Sequence, residues 1–221
     1  MEKYLRPTPA IDCDNESIKG KAQNLTKGQQ TSADKAKSFF YFVRDEIKYT
    51  PLVSLDFFEH YRASSTLERS KGFCVEKAAL LAAFARAVGI PARLHLADIR
   101  NHLVPDRLKK LMGTDMFSYH GYSELYIEGK RVKATPAFDL KMCQKNRIIP
   151  VEFNGKHDGM FHSHNLDGKL HIEYVQDHGY RADVPVDEIL AAWAKAYKME
   201  STEQFYRFIE PEKTQQEVPG A

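Results

Sequence analysis

At 221 residues, with 43% hydrophobic and 28% charged side chains, the chain has the make-up of an ordinary globular protein with room for one well-buried domain. Its formal charge of +2 argues against a nucleic-acid or anionic-membrane partner. No apolar run nears the ~20 residues that span a bilayer, and residues 1–7 lack the apolar stretch and small-residue cleavage site of a signal peptide, so a cytoplasmic location is the default expectation.

Residues 1–30 are polar and broken by Pro7, Pro9, Gly20 and Gly28; they read as an N-terminal arm, irregular or with a short helix. Thr31 and Ser32 are cap residues for a helix over 35–47, with Ala36, Phe39, Phe40, Val43 and Ile47 at helical spacing, and Pro51 ends the region. Residues 52–71 are mixed and loop-rich. The clearest helix runs from Cys74 to Val88, with Leu80, Leu81, Phe84 and Val88 as its stripe and Gly89 and Pro91 as its stop. Residues 92–97 alternate as a strand. A short helix is expected over 106–112, where Arg107, Leu108, Lys109 and Lys110 read as a solvated face rather than a phosphate patch. Residues 117–127 and 131–134 flank Glu128-Gly129-Lys130 as a hairpin. A strand over 170–175, a helix over 185–198 holding the single Trp193, and ten frayed polar residues complete the chain. A motif-bearing helix followed by antiparallel strands is the α+β pattern.

Of the three cysteines, Cys13, Cys74 and Cys143, none forms a CxxC pair, which argues against structural zinc and a disulfide framework. Cys74 opens the core helix, where the positive end of the helix dipole favours a thiolate, and Gly72 lets a substrate approach the backbone. The other reading of Cys74 is a small buried apolar residue. Cys13 and Cys143 are taken as incidental. His120, early in a hairpin strand, is the best-placed base among nine histidines. If Glu128-Gly129 is the turn, His120 falls opposite Ala137, with Thr135 and Asp139 on its diagonals. Only a carboxylate offsets an imidazolium charge, so Asp139 is the expected third member. The Cys74 N–H and the Tyr49 hydroxyl are oxyanion candidates, with a core aromatic as the alternative for Tyr49. Arg93 and Glu124 read either as pocket residues or as structural charges. The histidines around His162-Ser163-His164, with His157, Asp158 and His171, are the one cluster with metal-ligand chemistry, and an exposed polar loop is the preferred reading.

Gly72-Phe73-Cys74 opening an Ala/Leu helix that closes in Arg86-Ala87-Val88-Gly89-Ile90-Pro91 resembles the nucleophile segment of the transglutaminase-like superfamily. The run from His120-Gly121-Tyr122-Ser123-Glu124 to Gly129 resembles its histidine hairpin, and Phe39 to Tyr49 its lead-in helix. The resemblance covers about residues 35–140. It implies a papain-like Cys-His-Asp core that attacks an amide or thioester carbonyl, without metal or organic cofactor. A peptide, protein or small amide would be the substrate, with hydrolysis preferred to cross-linking. Where the family shows Asp-Pro this chain has Thr135-Pro136, which leaves a catalytically degenerate binding or scaffold module as the alternative. On this reading residues 1–30 are the arm, 31–140 the catalytic core and 141–221 an extension packed on it, in one compact unit.

Overall fold

The computed structural model describes residues 1–50 and 58–197. The expectations for residues 51–57 and for the polar tail therefore lie outside the described residues. Within them the protein is α+β, with helices packed against an antiparallel sheet.

Helix α1 (Glu16–Leu25) is capped by the Asn15 side chain and buries Ile18 and Ala22, so the N-terminal arm carries a packed helix. Helix α2 (Ser32–Glu46) starts where the cap residues suggest: Thr31 accepts the Asp34 N–H, and Ala36, Phe39, Phe40 and Val43 form the buried face. A two-residue strand β1 (Lys48–Tyr49) follows. After helix α3 (Ala63–Arg69), strand β2 (Lys71–Gly72) pairs parallel with β1, setting Tyr49 beside Gly72.

Helix α4 (Cys74–Ala87) is buried on every side from Val75 to Arg86, not along one stripe alone, because helices cover one flank and the sheet the other. Its buried charges are all engaged. Lys77 donates to the carbonyls of Arg44 and Ile47, Arg86 to those of Arg6, Ala92 and Ala182, and Glu76 accepts from Arg69 and from the Phe73 N–H. Of these only Arg69–Glu76 is an ion pair, and removing Arg69 would leave a buried carboxyl without its cation.

The sheet has the order β5-β4-β3-β6 and holds strands β3 (Ala92–Asn101), β4 (Met116–Ile127), β5 (Lys130–Ala134) and β6 (Ile172–Arg181). Helix α5 (Asp106–Met112) leads into β4. The β4–β5 hairpin has the expected register, Ile127 opposite Lys130, with Glu128 and Gly129 both at positive φ in the turn. Helix α6 (Leu140–Asn146) follows β5. The segment beyond residue 141 supplies β6, an edge strand of the same sheet, and helix α7 (Val186–Tyr197), which buries Ile189 and Trp193.

Alternation along β4 sorts its residues. Gly121, Ser123, Leu125 and Ile127 share one side, and Ser123 Oγ donates to the Ala78 carbonyl of α4 at 2.7 Å. His120, Tyr122 and Glu124 occupy the other side.

Candidate active site

Cys74 is the first residue of α4, after Phe73 in extended conformation. The Phe73 N–H is satisfied by Glu76, which fixes the entry turn. Gly121 is wedged against this turn: a Cβ there would lie 2.9 Å from Val75 Cα. The close approach explains why a residue without a side chain follows His120, and it brings β4 onto the first turn of α4. The backbone N–H of Gly121 is turned to the Cys74 sulfur, as are those of Val75 and Cys74 itself.

These N–H groups pull the thiol pKa down, as the helix start suggests, but burial is the larger effect and the Glu76 carboxylate adds to it. The net result is a thiol pushed up to about 11. A lowered thiol pKa was the expectation from the helix dipole, and desolvation overturns it. His120 is buried and its imidazole is pushed down to about 3 by desolvation. At rest both groups are neutral, the thiol at the start of α4 and the imidazole on β4.

The partner of His120 is Thr135, whose Oγ1 lies 3.1 Å from Nε2. Asp139, the expected third member, is engaged elsewhere. Its Oδ1 accepts the Met142 N–H at the start of α6 and its Oδ2 the Tyr49 N–H at 3.1 Å. The reason lies in how the hairpin ends. Beyond Ala134 the Thr135 N–H turns to the Gly159 carbonyl at 2.8 Å, and Pro136 has no N–H to continue the ladder. Of the two diagonal positions the first is kept and the second becomes a helix cap.

Aromatic rings pack around His120. Phe161 lies 5.1 Å and Tyr174 6.2 Å from the His120 ring, centroid to centroid. The phenols of Tyr49, Tyr174 and Tyr197 have raised pKa values, chiefly through burial, and each lies close enough to Cys74 for a thiolate to raise it further. Phe161, Tyr174 and Tyr197 come from the C-terminal segment. The apolar spacing of α7 marks Tyr197 as inward-facing, and no signal in the sequence connects it with the thiol.

Arg93 and Glu124 are cross-strand partners and form a two-pronged ion pair at 2.8 and 3.1 Å, so each answers the other. His95 contacts the same carboxylate at 3.4 Å. Of the loop histidines, His171 is buried, while His157 meets Asn154 and His164 meets Ser163. Among the described residues no three His, Cys, Asp or Glu side chains are grouped to hold a metal ion.

The family model described as transglutaminase-like superfamily matches residues 19–135, more than half of the chain. The chain belongs to the transglutaminase-like superfamily. The matched stretch holds Cys74 and His120 and ends on Thr135, short of Asp139. Among solved structures, this transglutaminase-like chain is similar to a candidate cysteine protease from Cytophaga hutchinsonii, at 18% identity over 86% of this chain and 48% of that one, with a TM-score of 0.49. A candidate protease from Parabacteroides distasonis is 19% identical over 54% of this chain and 23% of that one, with a TM-score of 0.39. A protein described as a TGase is 17% identical over 55% and 29%, with a TM-score of 0.35. The chain spans about half the length of the first of these and less of the other two. A search of curated proteins found no match. Among the described residues no helix is long and apolar enough to cross a membrane.

Proposed function

We propose that this transglutaminase-like protein is a cysteine-dependent acyl-transfer enzyme that attacks a peptide or amide carbonyl through Cys74, with His120 as base and Thr135 as the group that sets the ring. The observation that carries the reading is the contact of Gly121 with the first turn of α4. It puts the residue after His120 on the Cys74 sulfur while Thr135 holds His120 Nε2. A ring whose Nε2–H is given to Thr135 keeps a lone pair on Nδ1.

The resting charges suit base-assisted attack rather than a preformed ion pair. As Sγ bonds to the carbonyl carbon, the thiol proton passes to Nδ1 and the carbonyl oxygen takes the negative charge. The Cys74 N–H and the Tyr49 hydroxyl are the donors for that oxygen. The tetrahedral adduct then expels the amine, which leaves with the proton from Nδ1, and a thioester remains on Cys74. Water, deprotonated by the same nitrogen, attacks the thioester, and the sulfur departs as the thiol. Water is the acceptor in this proposal, and an amine in its place would make the reaction a transamidation.

Cys143 is an internal control, since burial pushes its thiol up to about 11 as well. After incubation with p-nitrophenyl acetate, peptide mapping by mass spectrometry should find acetyl on Cys74 well before Cys143. His120→Ala should remove the difference. Equal rates at the two thiols, or a His120→Ala protein that acylates like the parent, would sink the enzyme reading. The degenerate binding module would then stand, favoured by an uncharged Thr135 where a carboxylate was expected.

A further inference from the structure

Strand β4 is irregular just before it reaches His120. Against central strand β3, Ala97 pairs with His120 but Ile99 pairs with Phe117, so Ser118 and Tyr119 together face Asp98. On the other side of β3 the register slips at nearly the same height. Leu96 pairs with Gly179 and Ala97 with Asp177, leaving His178 as the extra residue. Two bulges thus flank one short piece of β3, and bulges re-aim side chains.

The first bulge decides where His120 points. Continued regularly from the Ile99–Phe117 pair, the register would set Tyr119 opposite Ala97 and His120 opposite Leu96, the present partner of Gly121. His120 and Gly121 would exchange faces, and the imidazole would occupy the space where even a Cβ meets Val75.

Such a bulge needs support. Tyr119 has φ 58°, in the left-handed region that an aromatic L-residue adopts only when its surroundings hold it there. Its N–H donates to Asp98 Oδ1 at 2.9 Å, and its ring stacks on His178 at 4.3 Å across β3. His178 Nε2 lies 2.9 Å from the same Asp98 oxygen. Helix α7 grips the bulge from outside. Glu188 accepts from the Tyr119 hydroxyl, Trp193 donates to the Ser118 carbonyl at 2.8 Å, and Tyr197 accepts the Ser118 N–H at 2.9 Å.

We propose that Asp98 is a positioning residue for His120: by holding the Tyr119 N–H on one flank and meeting His178 on the other, it keeps the bulge in place and His120 on the face of the sheet that serves Cys74. Asp98 acts through the Tyr119 backbone rather than on the reacting atoms. The inference rests on the enzyme reading only for its consequence in rate; the geometric part stands alone.

The test combines Asp98→Ala, Asp98→Asn, Tyr119→Gly and the Asp98→Ala/Tyr119→Gly pair. Two readouts are used: Cys74 acetylation by p-nitrophenyl acetate, and the ¹⁵N spectrum of the His120 ring, which reports its tautomer. The parent should show one Nε2–H form. Asp98→Ala should lose about a hundredfold in acetylation rate, the scale of a small misplacement at a reacting group, and should lose the single tautomer. Asp98→Asn retains an acceptor and should stay within about threefold of the parent, well under that loss. Glycine adopts the left-handed conformation unaided, so the double variant should regain both signals relative to Asp98→Ala.

The proposal is overturned if Asp98→Ala keeps the parent rate and spectrum, or if Tyr119→Gly restores neither. Should Asp98→Ala fail to fold, the double variant is compared with Tyr119→Gly alone, and a continuing need for Asp98 there overturns it too. A parent that does not acetylate Cys74 refutes the enzyme reading, and the spectra alone then decide this one.

Discussion

Two buried histidines flank Phe161, and they are held in opposite ways. His120 packs on one side of the ring, 5.1 Å away, and shares Nε2 with Thr135. His171 lies 6.4 Å away and is also buried, yet neither of its ring nitrogens has a hydrogen-bond partner among the described residues. Burial keeps both rings neutral, pushing His120 down to about 3 and His171 to about 4, the latter aided by His102 and His162. Neutrality is thus the work of burial at both places. What separates a candidate base from a packing ring is one hydroxyl, placed to share a hydrogen bond with Nε2.

The largest expected effect of breaking that comparison is on acid stability. A histidine whose folded pKa is depressed favours the native state fully above its unfolded value of about 6.5, and that support is lost as pH falls towards the folded value. For His171 the window runs from about 6.5 down to about 4, a loss of about 3 kcal/mol across it. His171→Phe removes two unpaired nitrogens from an aromatic site beside Phe138 and Phe161. Urea unfolding of this variant should show a shallower fall of stability between pH 6.5 and pH 4 by about that amount. An unchanged slope would place the proton uptake elsewhere.

Next in size is the loss of the hydroxyl. Thr135→Val keeps the shape and removes the partner of Nε2, so Cys74 acetylation should slow by about ten- to a hundredfold while the protein stays folded. A rate equal to the parent's would mean that His120 needs no fixed tautomer. The smallest effect is expected at Asp139. Asp139→Ala gives up a helix cap and the Tyr49 N–H contact, costing about 1 kcal/mol in thermal unfolding, whereas Asp139→Asn, still a good cap, should cost less. If Asp139→Asn instead abolished acetylation, the carboxylate would belong to the site after all.

Much of the arrangement around Cys74 was legible in the sequence because it is local. Helical spacing located α2 and α4, the stop signals bounded them, and the Glu128-Gly129 turn set the hairpin register that brought Thr135 and Asp139 into consideration. Which of those two meets His120 is decided from outside the hairpin, by the Gly159 carbonyl. That group arrives from a loop whose position no spacing encodes. The thiol pKa failed for a related reason. The helix start is a local feature and acts in the expected direction, but the walls that desolvate Cys74 include Tyr174 and Tyr197, far along the chain. The bulge at Ser118 and Tyr119 left no trace in the residue pattern, since neither is a glycine.

The irregularity of β6 has a bearing on solubility as well as on aim. Among the described residues β6 is a ten-residue edge strand with Val175 and Tyr180 exposed, the kind of border onto which another chain can add and so start an aggregate. Its register slips twice against β3, once at His178 and again between Asp98 and Ile99, so the border is not a flat template. Glu173, Asp177 and Arg181 stand along it as charges that an incoming strand would have to accommodate. An edge shaped to carry His178 over Asp98 is by the same shape a poor partner for its own copies.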